Sequence, residues 1–172
     1  MRTIYNALVQ PHLNYGVLLW GMNTKRILKL QKWAVRAITS SKYNAHSDPL
    51  FIKLKLLKIN DIYKLCTMKF FYKYKKQKLP AYFNGMFDLT YPAHHYNTRQ
   101  REQPMVARYN TSAAKNSIRH SLPDIILNSP SIITDKLATH SLDGFSNYAK
   151  QYYISQYVST CYIDNCYICN NV

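Results

Sequence analysis

The chain has 172 residues, of which 47% are hydrophobic, so it can bury a core, and this composition argues against wholesale disorder. Lysine and arginine number 23 against 8 acidic residues, and the resulting net charge of +15 predicts an anionic partner. No apolar run approaches the roughly 20 residues that span a bilayer, and the N-terminal stretch lacks a cleavage site, so we expect an intracellular protein without a membrane partner.

Proline, glycine and capping residues divide the chain into predicted helices. The first covers Ile4–Gln10, a second piece after Pro11 covers His12–Trp20, and Gly21 closes it. The third helix follows the capping pair Asn23-Thr24 and ends at Ser40-Ser41. Further helices are predicted from Asp48-Pro49, from Asp61 to Lys76, from Thr111 to His120, from Pro123 to Leu127, from Pro130 to His140 and from Phe145 to Thr160.

These helices predict a mainly α protein, an irregular multi-helix bundle with a loop-rich middle segment and a flexible Cys-containing C-terminal tail. Only 4 glycines are present, which speaks against folds that need many tight β-turns. We divide the chain into a helical region at 1–80, an irregular basic linker at 81–110, C-terminal helices at 111–160 and a tail at 161–172.

The third helix is predicted to be basic and amphipathic. At about 100° per residue, an apolar stripe of Ile27, Leu30, Ala34 and Ile38 faces away from a row of cations. The cations are Lys25, Lys29, Lys32 and Arg36, and Trp33 lies at the edge of their row. One face can thus be buried while the other meets phosphates, although a solvated surface helix gives the same pattern.

Two further groups of cations are candidates for nucleic-acid contact. Lys73, Lys75 and Lys76 end the predicted 61–76 helix, where capping of the helix dipole is an alternative explanation. Arg99 and Arg101 lie in the irregular middle segment, which can grip a strand or be an ordinary surface loop.

The tail contains Cys161, Cys166 and Cys169 in a C-x4-C-x2-C pattern. Zinc normally takes four tetrahedral ligands, so three thiols need a fourth from elsewhere, such as His140, Cys66 or a second chain. Free thiols in a frayed tail are the alternative. Zinc in the tail is therefore a candidate, and the sequence calls for no other cofactor.

The sequence lacks the usual catalytic constellations. Its aspartates are scattered and stand mostly at predicted helix starts, and Glu102 is the only glutamate. No Walker loop, nucleophile elbow or H-E-x-x-H motif occurs, and nucleotidyl transfer needs clustered acids to hold metals. We therefore expect no catalytic residue and no independent enzyme.

An ordered series of segments carries a family resemblance. The segments are IYNALVQPHLNYGVLLWG, LQKWAVRAITSSKYNAHSDPLF, LKLLKINDIYKL, FFYKYKKQKLP and HHYNTR. Together they closely resemble the thumb and post-thumb region of reverse transcriptases from non-LTR (LINE-type) retrotransposons, over roughly residues 1–101. The Ala-Asp-Asp polymerase signature of that family is absent, so none of the family's catalytic residues carries over.

The resemblance implies a C-terminal fragment of an RNA-directed DNA polymerase whose helices hold the template–primer by its backbone. The implied partners are RNA or DNA, as duplex or hybrid, and the rest of a reverse transcriptase. Two alternatives stay open: a retroelement remnant without present activity, and a small zinc-stabilised interaction module.

Overall fold

The computed structural model describes residues 2–87 and 110–157, and these residues are mainly helical, with no strand among them. The predicted fold class is thereby confirmed; the tail and most of the middle segment lie outside the described residues. The helices are α1 (Arg2–Leu8), α2 (Gln10–Asn14), α3 (Val17–Trp20), α4 (Lys25–Ile38), α5 (Ser47–Leu54), α6 (Ile59–Lys75), α7 (Ser112–Lys115), α8 (Ile118–Leu127), α9 (Ser131–Thr139) and α10 (Leu142–Ser155), with a 3₁₀ turn at Ala81–Phe83.

The described residues divide into two compact units, one containing residues 2–63 and 147–157 and the other residues 64–87 and 110–146. Within the described residues, none of the helices combines the length and apolar character needed to cross a bilayer.

The N-terminal helices break at Val9, close to the predicted break at Pro11, and again at Gly16. Pro11 lies in the first turn of α2, where its missing N–H has no helical partner to lose. Gly16 separates α2 from α3 with a φ of +61°, a conformation that side chains disfavour. Gly21 ends α3 as predicted, and a Cβ there would lie 2.1 Å from the ring of Tyr63. Close packing therefore requires this glycine.

The core of the first unit is organised around Gln31, a polar side chain that is only 1% exposed. Its Nε2 donates to Tyr5 Oη at 2.7 Å and to the Leu57 carbonyl oxygen at 2.8 Å. Its Oε1 accepts from the Ile59 N–H at 2.8 Å. One side chain thus joins α1, α4 and the connection between α5 and α6.

Tyr157 attaches the end of α10 to that same connection. Its hydroxyl donates to Asp61 Oδ2 at 2.6 Å and accepts from the Lys58 N–H at 2.9 Å. Its ring packs edge-on against Phe51 with centroids 6.3 Å apart, and Lys58 Nζ lies 4.3 Å from the ring centroid. Lys58 also forms an ion pair with Asp48 at 2.7 Å.

The second unit contains an aromatic cluster around α6. Tyr74 Oη donates to the Phe87 carbonyl oxygen at 3.2 Å, and the two rings pack edge-on at 4.9 Å. Phe70 packs against Phe83 of the 3₁₀ turn at 5.5 Å. These contacts hold residues 81–87 against α6.

Two predicted boundaries in the second unit are wrong. The predicted 111–120 helix breaks at Asn116-Ser117, so α8 begins at Ile118 and Pro123 lies inside it instead of opening it. Pro123 and the adjacent Leu122 are fully buried, and their burial outweighs the hydrogen bond that proline cannot donate. The last helix likewise begins earlier than predicted, at Leu142, and ends at Ser155.

Replacing Gln31 with methionine should destabilise the fold at nearly constant side-chain volume. The variant leaves the Leu57 carbonyl and the Ile59 N–H buried without partners, so the free energy of unfolding should fall by at least about 2 kcal/mol. Denaturant unfolding measures the change. Gln10→Met is the control: the Gln10 side chain donates to Asn14 Oδ1 in an exposed hydrogen bond, and its replacement should cost no more than about 0.5 kcal/mol. Equal stability of the two variants would contradict the role given to Gln31.

The first unit should lose stability in alkaline solution. Burial, with smaller contributions from Asp61 and Tyr152, raises the pKa of Tyr153 to about 12, and burial and Asp61 also raise the pKa of Tyr157. Because these phenols keep their protons longer in the folded state, stability is fully present below the unfolded pKa of about 10 and declines as the pH rises toward 12.

Tyr153→Phe should flatten this decline by up to about 1 kcal/mol per pH unit between pH 10 and 12. Tyr43→Phe, which removes an exposed phenol from the same unit, should leave the slope unchanged. Unfolding curves recorded across that range measure both slopes, and parallel slopes for the two variants would refute the prediction.

Candidate nucleic-acid interface

Helix α4 begins with cations where most helices place acids. Lys25 and Arg26 are its first two residues, Lys29 follows one turn later, and the helix contains no acid. The positive end of the helix dipole therefore meets like charge, at a cost of a few tenths of a kcal/mol per cation or more. An anion bound near this end would be attracted by the dipole and by the side chains together.

The predicted apolar stripe of α4 is partly wrong. Leu30 is 64% exposed, whereas Gln31 and Val35 are buried and Ile27, Ala34 and Ile38 are half-buried. The buried face is thus rotated by roughly 70° from the predicted one, at 100° per residue. The cause is Gln31, a polar residue that a hydrophobic pattern cannot place at the centre of a core-facing stripe.

The four predicted cations of α4 divide into two kinds. Lys25 and Lys29 are exposed. Lys32 is half-buried, and half-buried Arg36 donates its Nε to the Ala45 carbonyl oxygen at 2.8 Å, which fastens the connection between α4 and α5. Within residues 2–87 and 110–157, none of the four forms an ion pair with a carboxylate.

Trp33 belongs to a row of exposed residues on α4 that shares only Lys29 with the predicted row of cations. Arg26, Lys29, Leu30 and Trp33 recur at three- and four-residue spacing, and we call these residues the α4 strip. Trp33 is 69% exposed. The strip therefore combines two cations with a flat aromatic surface, a combination that suits phosphate pairing beside base stacking.

Arg26 and Leu30 were not among the predicted contacts. Arg26 falls outside the cation row on a helical projection, and the predicted apolar stripe includes Leu30. The three- and four-residue spacing of Arg26, Leu30 and Trp33 places them on one face of the helix. Hydrophobicity alone does not say whether that face, with Leu30, is buried or exposed.

Thr24 does not cap α4 as predicted. Its side chain makes no capping bond and instead donates its hydroxyl to Asn60 Oδ1. The first-turn N–H groups of α4 thus have no side-chain cap from Thr24.

The lysines at the end of α6 are all exposed. They are Lys73, Lys75 and Lys76. The chain leaves the helix through Gln77, which has a φ of +52°, and the Lys78 N–H bonds the Lys73 carbonyl oxygen at 2.8 Å. Carbonyl dipoles at this end offset part of the lysine charge, so a phosphate is attracted less strongly here than at the start of α4.

Other predicted site residues fall outside the described part of the chain. They are Arg99, Arg101, Cys161, Cys166 and Cys169. Among the described residues, no three His, Cys, Asp or Glu side chains come together as a metal site would need. Cys66 is half-buried, and burial raises the pKa of its thiol, with Lys69 opposing the shift. A protonated thiol is a poor nucleophile at neutral pH.

Comparison with protein-family models, curated proteins and solved structures returns no match for the chain.

The exposure and charge of the α4 strip can be tested by fluorescence quenching. Because Arg26 and Lys29 lie on the same exposed face as Trp33, the ratio of iodide to caesium quenching should exceed that of free N-acetyltryptophanamide, and added salt should reduce the excess. Trp20, the other tryptophan, is half-buried and donates its indole N–H to the Tyr15 carbonyl oxygen, so Trp33→Phe should remove most of the iodide response.

Replacing Arg26 and Lys29 together with glutamine should lower the ratio of iodide to caesium quenching toward that of free N-acetyltryptophanamide. Lys53→Gln, an exposed cation on α5, is the control and should leave the ratio unchanged. A ratio in the unaltered protein no higher than that of free N-acetyltryptophanamide would show that the strip is not a cationic environment.

Proposed function

We propose that the chain is a non-catalytic part of a non-LTR retrotransposon reverse transcriptase, from the thumb and post-thumb region, and binds template–primer nucleic acid through phosphate contacts. The family resemblance of residues 1–101 supports the assignment to this polymerase family. The proposal names no catalytic residue, because the polymerase signature is absent from the sequence.

The observation that carries the binding function is the start of α4. Lys25, Arg26 and Lys29 are exposed, lie at the positive end of a helix dipole and have no carboxylate partner in the described part of the chain. Such an arrangement lowers stability in the free protein and becomes favourable when a polyanion is bound. Contacts of this kind position a nucleic-acid backbone without reading its sequence.

Trp33 extends the interface beyond phosphate. An exposed indole one turn after Lys29 can stack on an unpaired base, and such stacking contributes about 1–3 kcal/mol. We therefore assign phosphate contact to Lys25, Arg26 and Lys29 and base or sugar contact to Trp33. Lys32 and Arg36, which are also predicted contacts, are half-buried and add to the positive field of the helix, and Arg36 also donates its Nε to the Ala45 carbonyl oxygen.

The double variant Lys25→Gln/Lys29→Gln should weaken binding to an RNA–DNA hybrid and reduce its salt dependence. Each lysine that no longer neutralises a phosphate should make the slope of log affinity against log salt shallower by about 0.9. Fluorescence anisotropy with a labelled hybrid, recorded at several salt concentrations, measures both quantities.

The matched control is Lys53→Gln/Arg119→Gln, which removes the same amount of charge from exposed positions outside α4. If total charge alone attracts the nucleic acid, the two double variants will bind equally. A weaker complex for the α4 variant alone supports the assigned interface, and a lack of binding by the unaltered chain at low salt contradicts the proposed function.

A further inference from the structure

A cavity of about 690 Å³ lies in the first unit, and none of its lining residues belongs to α4. The start of α1, the end of α5 and the side of α10 form its walls. Three of the lining side chains are cations, namely Arg2, Lys55 and Lys150. No carboxylate of the described residues lines the cavity.

Within the described residues, none of the three cations forms an ion pair with a carboxylate. Lys150 is half-buried, and both burial and the charge of Arg2 lower the pKa of its amine. Lys150 is thus partly desolvated beside the like charge of Arg2, whereas the side chains of Arg2 and Lys55 are exposed, and a bound anion would relieve the repulsion between Lys150 and Arg2.

The fold fixes two of the walls firmly. Lys55 ends α5 in the left-handed conformation, with a φ of +52°, and its N–H bonds the Ile52 carbonyl oxygen at 3.0 Å. Tyr157 is held by two hydrogen bonds, to Asp61 and from Lys58, at the C-terminal end of the α10 wall. Hydrogen bonds therefore hold the chain in place at Lys55 and at Tyr157, on two sides of the cavity.

The rest of the lining suits a flat organic group. The side chains of Ile52, Ile154 and Tyr157 supply apolar surface, and Asn147 and Gln151 supply amides that can both donate and accept hydrogen bonds. A nucleobase presents an apolar face together with a polar edge. A lining of three cations, two amides and an apolar surface therefore matches a phosphate joined to a base through a sugar.

We propose that this cavity binds a nucleotide, with its phosphate against Arg2, Lys55 and Lys150 and its base against Ile154 and Tyr157. The ligand is a free nucleoside monophosphate or the 5′-phosphorylated end of a strand, which share the same chemistry. The site does not depend on the proposed function, because it uses no residue of the α4 strip.

Calorimetric titration of the full chain with AMP, GMP, CMP and UMP tests the site. At least one mononucleotide should bind at least tenfold more tightly than its nucleoside and more tightly than inorganic phosphate. Lys150→Gln should weaken that binding at least tenfold, while Lys150→Arg, which keeps the charge, should retain it. Nucleosides that bind as well as nucleotides, or inorganic phosphate that binds equally well, would overturn the proposal.

Lys55→Gln and Lys53→Gln form a matched pair. They lie two residues apart and remove the same charge, but only Lys55 lines the cavity. Glutamine tolerates the required backbone, since Gln77 adopts the same φ of +52° in this protein. Lys55→Gln should weaken mononucleotide binding several-fold and Lys53→Gln should leave it within twofold, and equal losses would show general charge attraction instead of a site.

Two further arms separate this site from the α4 interface and identify the ligand's source. Lys25→Gln/Lys29→Gln should leave mononucleotide binding unchanged even if hybrid binding is lost, so the two proposals can fail independently. Short RNAs with a 5′-phosphate or a 5′-hydroxyl are then competed against the bound mononucleotide. Competition by the phosphorylated RNA alone assigns the cavity to strand ends, and no competition by either assigns it to free nucleotides.

Discussion

The three hydrogen bonds of Gln31 are the constraint on which the first unit depends. They tie Tyr5 of α1 and the backbone at Leu57 and Ile59 to the middle of α4. Each of these groups is buried, so any shift of α4 that breaks the bonds leaves polar atoms without water or partner. The rotation of α4 about its axis is thereby set, and with it the side chains that face solvent.

That rotation decides the character of the candidate interface. With Gln31 inward, Leu30 and Trp33 turn outward beside Arg26 and Lys29, so the exposed face is aromatic and cationic instead of purely cationic. Arg36, which the helical pattern assigns to phosphate contact, donates its Nε to the Ala45 carbonyl oxygen. Among the described residues of α4, one cation thus supports the fold through a hydrogen bond, while Lys25, Arg26 and Lys29 form no ion pair with a carboxylate.

Tyr157 makes the second long-range attachment. Its partner Lys58 is 99 positions away in sequence, and the bond fixes the end of α10 at the α5–α6 connection. This attachment brings Lys150 into the same cavity lining as Arg2 and Lys55, which are remote in the sequence. The proposed nucleotide site and the alkaline sensitivity of the unit both follow from the burial of this part of α10.

Local sequence pattern determined the helical class and the presence and approximate limits of α4 and α6. It also determined the exposure of Lys25, Lys29 and the lysines that end α6. These features are local because caps, helix breakers and charges act over a few residues. Tertiary structure decided the burial of Gln31 and Pro123 and the exposure of Leu30, since these follow from partners far along the chain. It also decided the gathering of cations around the cavity. Hydrophobic periodicity assigns each residue to the core or to solvent by its own polarity, so it places a glutamine in solvent. Gln31 is buried because partners distant in the sequence satisfy its hydrogen bonds, and no local pattern contains those partners.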